Sequence, residues 1–579
     1  MPNVHTDEET YDAIVVGSGI TGGWAAKELC ENGLDVLLLE RGRYVEHGTD
    51  YVGEHKPAWD MPYRGWGDRD LYEEEYEHQH HCYAFGEGTR HFFVNDAKHQ
   101  YDTPDQGEDG HFRWLRGYQL GGRSIMWGRL CWRWSDLDFE ANKKSGHGVD
   151  WPIRYDDIDP WYTYVEKHVG ISGSKENLPQ VPDGAFLPPM DMNCAERKVS
   201  DGIARAGFDD GRRLIIGRAA VLTEQHKGRA PCHYCGPCHR GCSTGSYFSS
   251  LSSTLPAAQA AEGDLTIACD SIVSEVLYDR DAGDGEKGRA TGVRVVDRLT
   301  KERREHEADL VFLCASTLGS TQILLNSTSR RFPEGLGNDS GALGHYLMDH
   351  PIGGGATATV PGLEDKFYYG HRPNVVYIPR FRNLDGPRSD DLGFERGYGL
   401  QGAASREPWS RGANEAGIGQ SLKEKLRRPG PWKISIGGNG EMLPRRENRV
   451  ALKDETDEWG LPLIDVYCEF GENEARMRED AKTQAAETLD AAGCRDIETY
   501  MRDHPAGHNI HEMGTARMGR DPDTSVLNGW NQIHSVPNVF VTDGSCMASS
   551  ACQNPSITYM ALTARAADYA VKQLKKREL

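Results

Sequence analysis

A nucleotide-binding unit at the N-terminus constrains the fold more than any other feature of this sequence. Residues 12–16 form a short apolar run rich in β-branched side chains, which is typical of a buried parallel strand. Residues 17–22 then read Gly-Ser-Gly-Ile-Thr-Gly, a G-x-G-x-x-G motif, and apolar residues at helical spacing follow up to Asn32-Gly33. A second apolar run ends in Glu40, about 20 residues beyond the motif, where an acid accepts a hydrogen bond from a ribose hydroxyl. This order predicts a strand–helix–strand unit that binds a dinucleotide.

Each of the three glycines in this motif has a physical task. Gly17 permits the tight turn, Gly19 lets the backbone approach a pyrophosphate, and Gly22 lets the helix pack closely against the strand. The free N–H groups at the start of the helix suit the phosphates. The motif suits FAD and NAD equally, so the choice between these cofactors depends on the rest of the chain.

Length and charge exclude several other classes of protein. A chain of 579 residues is long enough for two or three folding units. Its net charge of −22 repels phosphate backbones, so we expect no nucleic-acid partner. No apolar run reaches transmembrane length and residues 1–10 lack the apolar stretch of a signal peptide, so we expect no direct insertion into a membrane. The sequence alone predicts a cytoplasmic protein, or a periplasmic one if it is exported together with a partner subunit.

The C-terminal part carries the densest group of motifs. The pattern His-x-x-Gly-Thr-x-x-Met-Gly begins at His511, and the apolar run 539–541 leads to Asp543-Gly544. Residues 554–556 then read Asn-Pro-Ser and precede an Ala-rich helix. In this order the motifs resemble the end of the glucose–methanol–choline (GMC) oxidoreductase family.

Two further segments carry the same resemblance. Residues 120–124, Leu-Gly-Gly-Arg-Ser, are similar to the family's loop over the flavin, and residues 311–320 are similar to its second strand-to-turn signature. The resemblance extends over residues 12 to 570, almost the whole chain. It implies an α/β fold in which a Rossmann-like FAD-binding domain, of the p-hydroxybenzoate-hydroxylase type, is joined to an α+β substrate domain built on a mainly antiparallel sheet.

The resemblance also implies FAD as the cofactor, and it implies which residues contact it. The expected contacts are Gly17, Gly19, Ile20, Thr21, Gly22, Glu40, Arg41, Gly121, Gly122, Ser124, Met126, Trp127, Val273, Asp543, Gly544, Pro555 and Ser556. Some sugar-oxidising members carry a histidine two residues past the loop serine that bonds covalently to the flavin. Met126 stands there in this chain and cannot form that bond, so we expect FAD to be held non-covalently.

The expected FAD-binding domain is discontinuous. Its segments are 8–160, 195–345 and 505–572, and they include the cysteine-rich loop 230–245 and an insertion at 60–112. The substrate domain is expected at 346–504, with about 161–194 added to it. The insertion is rich in His, Tyr and Glu without a familiar spacing of metal ligands, and we expect it to be a solvated lid or a subunit-contact arm.

The catalytic residues follow from the motif and from the chemistry of alcohol oxidation. His511 and Asn554 fall on the two positions that face the reactive side of the flavin in the family. A neutral histidine is suited to accept the hydroxyl proton near pH 7, and an asparagine can orient the hydroxyl without competing for that proton. His504 and His508 lie close in sequence, but neither precedes Gly-Thr at the same spacing.

Four cysteines, Cys232, Cys235, Cys238 and Cys242, have the spacing C-x2-C-x2-C-x3-C. Thiolates at this spacing can converge on an iron–sulfur cluster, with tetrahedral zinc or a metal-free loop as the alternatives. In one branch of the GMC family, a cysteine-rich insertion here binds a three-iron cluster through three cysteines. The best match to those is Cys232, Cys238 and Cys242, and the additional Cys235 leaves a four-iron cluster open.

These features predict an FAD-dependent GMC oxidoreductase that acts on CH–OH groups. By resemblance, we expect a dehydrogenase that oxidises a sugar or glycoside hydroxyl, with C3 of a pyranoside favoured. Hydride goes to flavin N5, and electrons pass through the iron–sulfur cluster to a cytochrome, quinone or dye. The first alternative is an oxygen-using sugar or glycoside oxidase with a purely structural cysteine loop. A non-redox lyase of the same fold and a NAD-binding protein with a zinc ribbon are further alternatives.

Overall fold

A computed structural model of the protein describes residues 4–103, 112–279, 288–367, 370–385, 392–413 and 415–579. Its strands are β1 Val4–Val16, β2 Val36–Leu39, β3 Ile215–Ile216, β4 Leu265–Ala268, β5 Ser271–Asp279, β6 Arg289–Asp297, β7 Arg303–Leu313, β8 Ile352–Val360, β9 Val376–Ile378, β10 Tyr398–Arg406, β11 Trp432–Gly440, β12 Arg449–Thr456, β13 Pro462–Tyr467, β14 Arg495–Met501, β15 Gln532–Ile533 and β16 Val536–Val541. Its α-helices are α1 Ile20–Glu31, α2 Arg69–Glu75, α3 Asp136–Phe139, α4 Ala141–Ser145, α5 Tyr155–Val169, α6 Cys194–Ala206, α7 Thr254–Gln259, α8 Thr317–Asn326, α9 Gly419–Arg427, α10 Glu472–Ala491 and α11 Ser556–Lys576. Within these ranges, none of the helices combines the length and the apolar character that crossing a membrane requires.

The first sheet contains the predicted nucleotide-binding unit. Strands β16, β7, β1, β2 and β4 pair in parallel in this order, β15 pairs antiparallel with β16, and the β5–β6 pair joins through β7. The strand residues alternate between two cores: Ile14 and Val16 pack into one, and Ala13 and Val15 pack into the other. Burial on both faces explains why β1 reads as a continuous apolar run rather than as an alternating pattern.

The second sheet is antiparallel, with strand order β14-β8-β11-β10-β9-β3. Helices α6 and α10 share one hydrophobic core with it. On β10, Leu400 points into this core, so the next residue, Gln401, projects from the opposite face toward a large cavity. The two sheets therefore confirm the fold class that the resemblance implies, a Rossmann-like sheet joined to an antiparallel one.

Two segments pack differently from the expected division into domains. Helix α6 and strand β3 lie in the stretch expected to bind FAD, but Ala195, Val199 and Ile203 of α6 pack into the core of the antiparallel sheet. Conversely, the β12–β13 hairpin comes from the expected substrate domain, yet Trp459 beside it packs against Ile272 of β5. Chain order did not indicate these contacts, because each depends on an apolar surface that lies far away in sequence.

The insertion at 60–112 is not a solvated lid throughout its described part. Its beginning is exposed, with 81% of Trp66 accessible. Further along, Gln79 is fully buried, and its side-chain amide donates to Asp96 Oδ1 at 2.8 Å and to the carbonyl of Trp114 at 2.9 Å. Phe92 is buried in the hydrophobic core that also contains Ala13 and Val15 of β1. This part of the insertion is integrated into the protein because its polar groups find internal partners.

Candidate active site

A cavity of about 530 Å³ lies between the two sheets. One end is lined by the nucleotide-binding turn at residues 17–21 and by Glu40, and the other end by His511, Asn554 and Gln401. This volume is typical of sites for small molecules and cofactors. The cavity thus joins the predicted cofactor-binding turn to the predicted catalytic pair.

Most of the residues expected to contact FAD line this cavity. They are Gly17, Gly19, Ile20, Thr21, Glu40, Arg41, Gly122, Ser124, Met126, Trp127, Val273, Asp543, Gly544 and Ser556. Gly22, Gly121 and Pro555 do not line it. Gly22 lies against the turn, where an added Cβ would stand 1.7 Å from the carbonyl oxygen of Gly17. Gly121 donates its N–H to Ser18 Oγ at 2.9 Å, and Pro555 precedes α11.

Hydrogen bonds to protein groups hold Glu40 at the nucleotide end. One carboxylate oxygen accepts from the N–H of Ser18 at 3.1 Å and from the Ser18 hydroxyl, and the other accepts from the N–H of Gly42 at 2.8 Å. Burial raises the pKa of this carboxyl, and these hydrogen bonds act in the opposite direction. The oxygen that accepts only from Gly42 retains a free lone pair, so Glu40 can still accept from a ribose hydroxyl in the cavity.

Arg41 lies beside Glu40 within an aromatic enclosure. Its guanidinium stands 4.6 Å from the ring centre of Tyr118 and 5.6 Å from that of Trp459. Trp459 also stacks on His99, with 5.3 Å between ring centres. Arg41 and Tyr118 line the cavity, so this wall can enclose a flat aromatic group such as an adenine. The hairpin and the insertion both contribute to it, and neither contribution was foreseen from the sequence.

The predicted catalytic residues face each other at the far end. Asn554 Nδ2 lies 3.4 Å from His511 Nε2, and Gln401 Nε2 donates to Asn554 Oδ1 at 2.8 Å. Burial, then His350 and Arg123, lowers the pKa of His511 well below its usual value, so its imidazole is uncharged at neutral pH. The site thus presents an unprotonated imidazole and an oriented amide to the same space. Sequence reasoning missed Gln401 as a partner of Asn554.

The turn that carries His511 is held by a buried carboxylate. Asp349 accepts from the backbone N–H groups of Gly507 at 2.8 Å, Asn509 at 3.1 Å and His511 at 3.3 Å. Burial, followed by repulsion from Glu512, raises the pKa of Asp349 to about 7. Asp349 therefore fixes the backbone from which the imidazole projects. Residues 349–351 read Asp-His-Pro, and nothing in that order indicated this contact.

The cysteines at 232–242 do not converge as the sequence predicts. In the part of the chain that the structure describes, no group of three or more His, Cys, Asp or Glu side chains is arranged to hold a metal ion. Cys232 Sγ accepts the N–H of Tyr234 at 3.4 Å, and Cys242 Sγ lies 3.4 Å from the hydroxyl of Thr244. Local polar groups thus occupy these two sulfurs. Cys235, another of the four cysteines, is exposed.

The same loop nevertheless lies beside the cavity. Cys232, Cys238 and Cys242 pack, together with Trp127, against one buried cluster around Tyr247. The ring nitrogen Nδ1 of His239 lies 3.2 Å from the carbonyl oxygen of Met126, and His239, Met126 and Trp127 all line the cavity. The loop therefore reaches the cavity through His239, and its cysteines pack beside Trp127 of the cavity wall.

Comparison with family models identifies the family to which this chain belongs. The two halves of the GMC oxidoreductase model match residues 11–352 and 444–563, which together form most of the chain. The chain belongs to the GMC oxidoreductase family. GMC oxidoreductases bind FAD and act on CH–OH groups. The resemblance inferred from the motifs is thereby confirmed.

Several GMC oxidoreductases of known activity are similar over the whole chain or most of it. The 2-methyl-1,2-propanediol dehydrogenase of Mycolicibacterium austroafricanum is 29% identical over 97% of this chain and 96% of its own length. The fructose dehydrogenase large subunit of Gluconobacter japonicus is 26% identical over 98% of both chains. The C-glycoside 3-oxidase of Arthrobacter globiformis is 24% identical over 69% of this chain and 71% of its own length.

A solved structure shares the fold at much lower identity. A variant of formate oxidase from Aspergillus oryzae RIB40 superposes with a TM-score of 0.60 at 14% identity, covering 99% of this chain and 100% of its own. At this identity the similarity supports the GMC fold alone. It agrees with the arrangement of one parallel and one antiparallel sheet around the cavity.

Proposed function

We propose that this enzyme oxidises a secondary hydroxyl of a sugar or glycoside to a ketone, with C3 of a pyranoside as the favoured position. The observation that carries the proposal is the facing pair of His511 Nε2 and Asn554 Nδ2, 3.4 Å apart at the end of the cavity. Relatives named for a sugar and for the 3-position of a glycoside support the substrate class.

His511 acts as the base in this proposal. Its uncharged imidazole accepts the hydroxyl proton at Nε2, while the amide of Asn554 donates to the hydroxyl oxygen and orients it. Bound FAD supplies a hydride acceptor at its N5 atom. Gln401 holds the amide of Asn554 in the orientation that presents Nδ2 toward His511. Met126 lines the cavity and has no group that bonds to a flavin, so we propose that FAD is held non-covalently.

Anaerobic reduction of the bound flavin tests the substrate class. We expect methyl β-D-glucopyranoside to bleach the flavin absorbance and its 3-deoxy analogue to fail, while the 4-deoxy analogue still reacts. Bleaching by the 3-deoxy analogue would contradict oxidation at C3. If 2-methyl-1,2-propanediol bleached the flavin while every sugar and glycoside failed, the substrate class itself would be wrong.

A dehydrogenase is favoured over an oxidase because the cysteine loop lies behind the Met126 and Trp127 wall of the cavity. That is a suitable position for a group that carries electrons away from a flavin. We propose an iron–sulfur cluster at Cys232, Cys238 and Cys242, with three irons favoured over four. The C-x2-C-x2-C-x3-C spacing supports it. The described thiols do not have ligand geometry, so this proposal requires the loop to rearrange around the metal.

The metal content of protein purified without oxygen tests this proposal. We expect iron rather than zinc in a fixed ratio to FAD, and we expect denaturation to release the FAD into solution. Cys238→Ser should remove the iron and leave the FAD bound, whereas Cys194→Ser, outside the loop, should change neither. Iron-free wild-type protein that consumes oxygen and releases peroxide would instead support the alternative, an oxidase with a purely structural loop.

We propose a cytochrome, a quinone or an artificial dye as the electron acceptor. One relative is the large subunit of a fructose dehydrogenase, which supports a small partner subunit that is exported together with this chain. Under this proposal the protein is cytoplasmic by its own sequence and periplasmic when co-exported.

A further inference from the structure

A second histidine lies directly behind His511. His350 Nδ1 is 3.0 Å from His511 Nδ1, and His350 Nε2 is 3.0 Å from the carbonyl oxygen of Ser550. His350 is fully buried, and burial lowers its pKa to about 4, so it is uncharged at neutral pH. The two imidazoles therefore form a short series of contacts that runs from the cavity to a backbone carbonyl.

The carbonyl of Ser550 determines where the protons lie along this series. A carbonyl oxygen only accepts, so His350 Nε2 must carry a hydrogen and donate it. In a neutral imidazole the other nitrogen then carries none, so His350 Nδ1 is an acceptor. His511 Nδ1 must consequently carry a hydrogen and donate it to His350, which leaves a free lone pair on His511 Nε2.

The opposite side of His511 leads independently to the same tautomer. Gln401 Nε2 donates to Asn554 Oδ1 at 2.8 Å, so the amide nitrogen of Asn554 is the atom directed at His511. An amide nitrogen only donates, and it approaches His511 Nε2 at 3.4 Å, which requires an acceptor at Nε2. Both sides of the ring thus place the lone pair toward the cavity.

We propose that His350 is a positioning residue that holds His511 in the Nε2-unprotonated tautomer and shares the positive charge when His511 accepts a proton. The proposal rests on the proposed role of His511 as base. The substrate proton arrives at His511 Nε2, and the proton on His511 Nδ1 can then move to His350 Nδ1. His511 is neutral again after this transfer, and the charge resides on His350, whose Nε2–H faces the Ser550 carbonyl.

Two asparagines hold this pair in place. Asn439 Nδ2 donates to the carbonyl of Cys552 at 2.8 Å and lies 3.2 Å from His350 Nδ1. Asn509 Nδ2 donates to Asn439 Oδ1 at 2.7 Å and lies 3.2 Å from His511 Nδ1. Because His511 Nδ1 carries a hydrogen in the proposed tautomer, this second contact is a packing contact and not a hydrogen bond. These amides restrict the rotation of both rings, as supporting groups do for metal-bound histidines.

Three ionisable side chains next to the pair, Arg123, Glu512 and Asp349, each have polar partners. Arg123 forms a two-pronged ion pair with Glu512 at 2.9 and 3.1 Å. Asp349 is occupied by the backbone N–H groups of the His511 turn. Tyr559 is buried near Arg123 and Glu512, and burial raises its pKa well above the usual value. None of these groups takes the place of His350 against His511 Nδ1.

Substitution of His350 tests the proposal, and His345→Gln is the matched control. His345 lies five residues earlier in the same segment, and its ring bonds to the carbonyl of Arg446 outside the cavity. His350→Leu removes the acceptor for His511 Nδ1. His350→Gln keeps an acceptor oxygen and a donor N–H but cannot hold the proton, so it preserves the tautomer and abolishes the sharing of charge.

Two measurements on the FAD-loaded proteins compare these variants with wild type. Anaerobic flavin reduction, with the best substrate of the glycoside and diol panel, should slow on the order of 10- to 100-fold in His350→Leu with little change in substrate affinity. His350→Gln should recover part of that rate. The second measurement uses sulfite, which adds to oxidised flavins and binds more tightly beside a positive charge. The pH midpoint of sulfite binding should move to lower pH in both His350 variants and stay unchanged in His345→Gln.

The sulfite measurement needs no substrate, so a failed substrate panel would overturn the proposed function without deciding this inference. A wild-type sulfite midpoint in His350→Gln would overturn the sharing of charge. Equal reduction rates in His350→Gln and His350→Leu would overturn the tautomer role. If the His350→Leu variant binds no FAD, the His350→Gln variant decides alone. A flavin reduction rate within threefold of wild type, together with a sulfite-binding midpoint at lower pH, then supports the proposal. A larger loss of rate in His350→Gln would then contradict it.

Discussion

Flavin reduction by substrate should fall on the order of 10²- to 10⁴-fold when His511 is replaced by alanine, the usual scale for a positioned general base. The variant should retain FAD, because His511 lies at the opposite end of the cavity from the nucleotide-binding turn. The measurement is anaerobic stopped-flow bleaching of the flavin absorbance, with FAD content determined on the same sample.

The pH dependence of that rate has a definite sign. Burial holds the pKa of His511 well below its usual value, so the unprotonated base predominates at neutral pH. The wild-type rate should therefore be flat through neutrality and fall only in acid, as protonation of His511 removes the acceptor. The sequence alone suggested a group that titrates near pH 7, and burial moves that titration downward. His511→Ala should lose the acid fall altogether.

Asn554→Ala is the matched comparison at the same site. It removes a donor and leaves the base in place, so the loss of rate should be smaller than in His511→Ala. A His511→Ala enzyme that bleaches at the wild-type rate would remove His511 from the mechanism. His504 and His508, which stack on each other at 4.0 Å outside the cavity lining, would then be the next candidates.

The second large effect concerns the nucleotide-binding turn. Gly22→Ala should destabilise the fold by about 3 kcal/mol, the upper range for overpacking a core, because its Cβ would lie 1.7 Å from the carbonyl oxygen of Gly17. Gly19→Ala should leave the apoprotein as stable as wild type, because no protein atom lies within 4 Å of its added Cβ. It should nevertheless weaken FAD binding by at least roughly tenfold, equivalent to 1.4 kcal/mol, since Gly19 lines the cavity where helix α1 begins.

Thermal unfolding of the apoproteins and fluorescence titration with FAD separate these two effects. Gly33→Ala provides a control, because Gly33 follows α1, has open space around it and is remote from the cavity lining. Its positive φ of 85° should cost some stability and no FAD affinity. Unchanged FAD affinity in Gly19→Ala would show that the pyrophosphate does not pass over this backbone.

The sequence by itself determined those parts of this protein that residues close together in the chain form. Strand β1, the glycine turn, helix α1 and β2 are contiguous, so apolar runs and three glycines were enough to predict them. His511 and Asn554 were found in the same way, because both belong to motifs of one C-terminal stretch. Binding of FAD and action on CH–OH groups followed from the family that those motifs resemble.

The tertiary structure decided which residues surround that chemistry. His350 reaches His511 across 161 positions of sequence, and Gln401 reaches Asn554 across 153. Neither contact leaves a periodic or local pattern, because it depends on how the antiparallel sheet packs over the parallel one. The cysteine loop shows that a suitable spacing does not by itself bring side chains together. Its spacing is compatible with a metal, but local hydrogen bonds orient two of its sulfurs. Spacing along a chain limits which side chains can meet, and packing between distant segments determines which of them do.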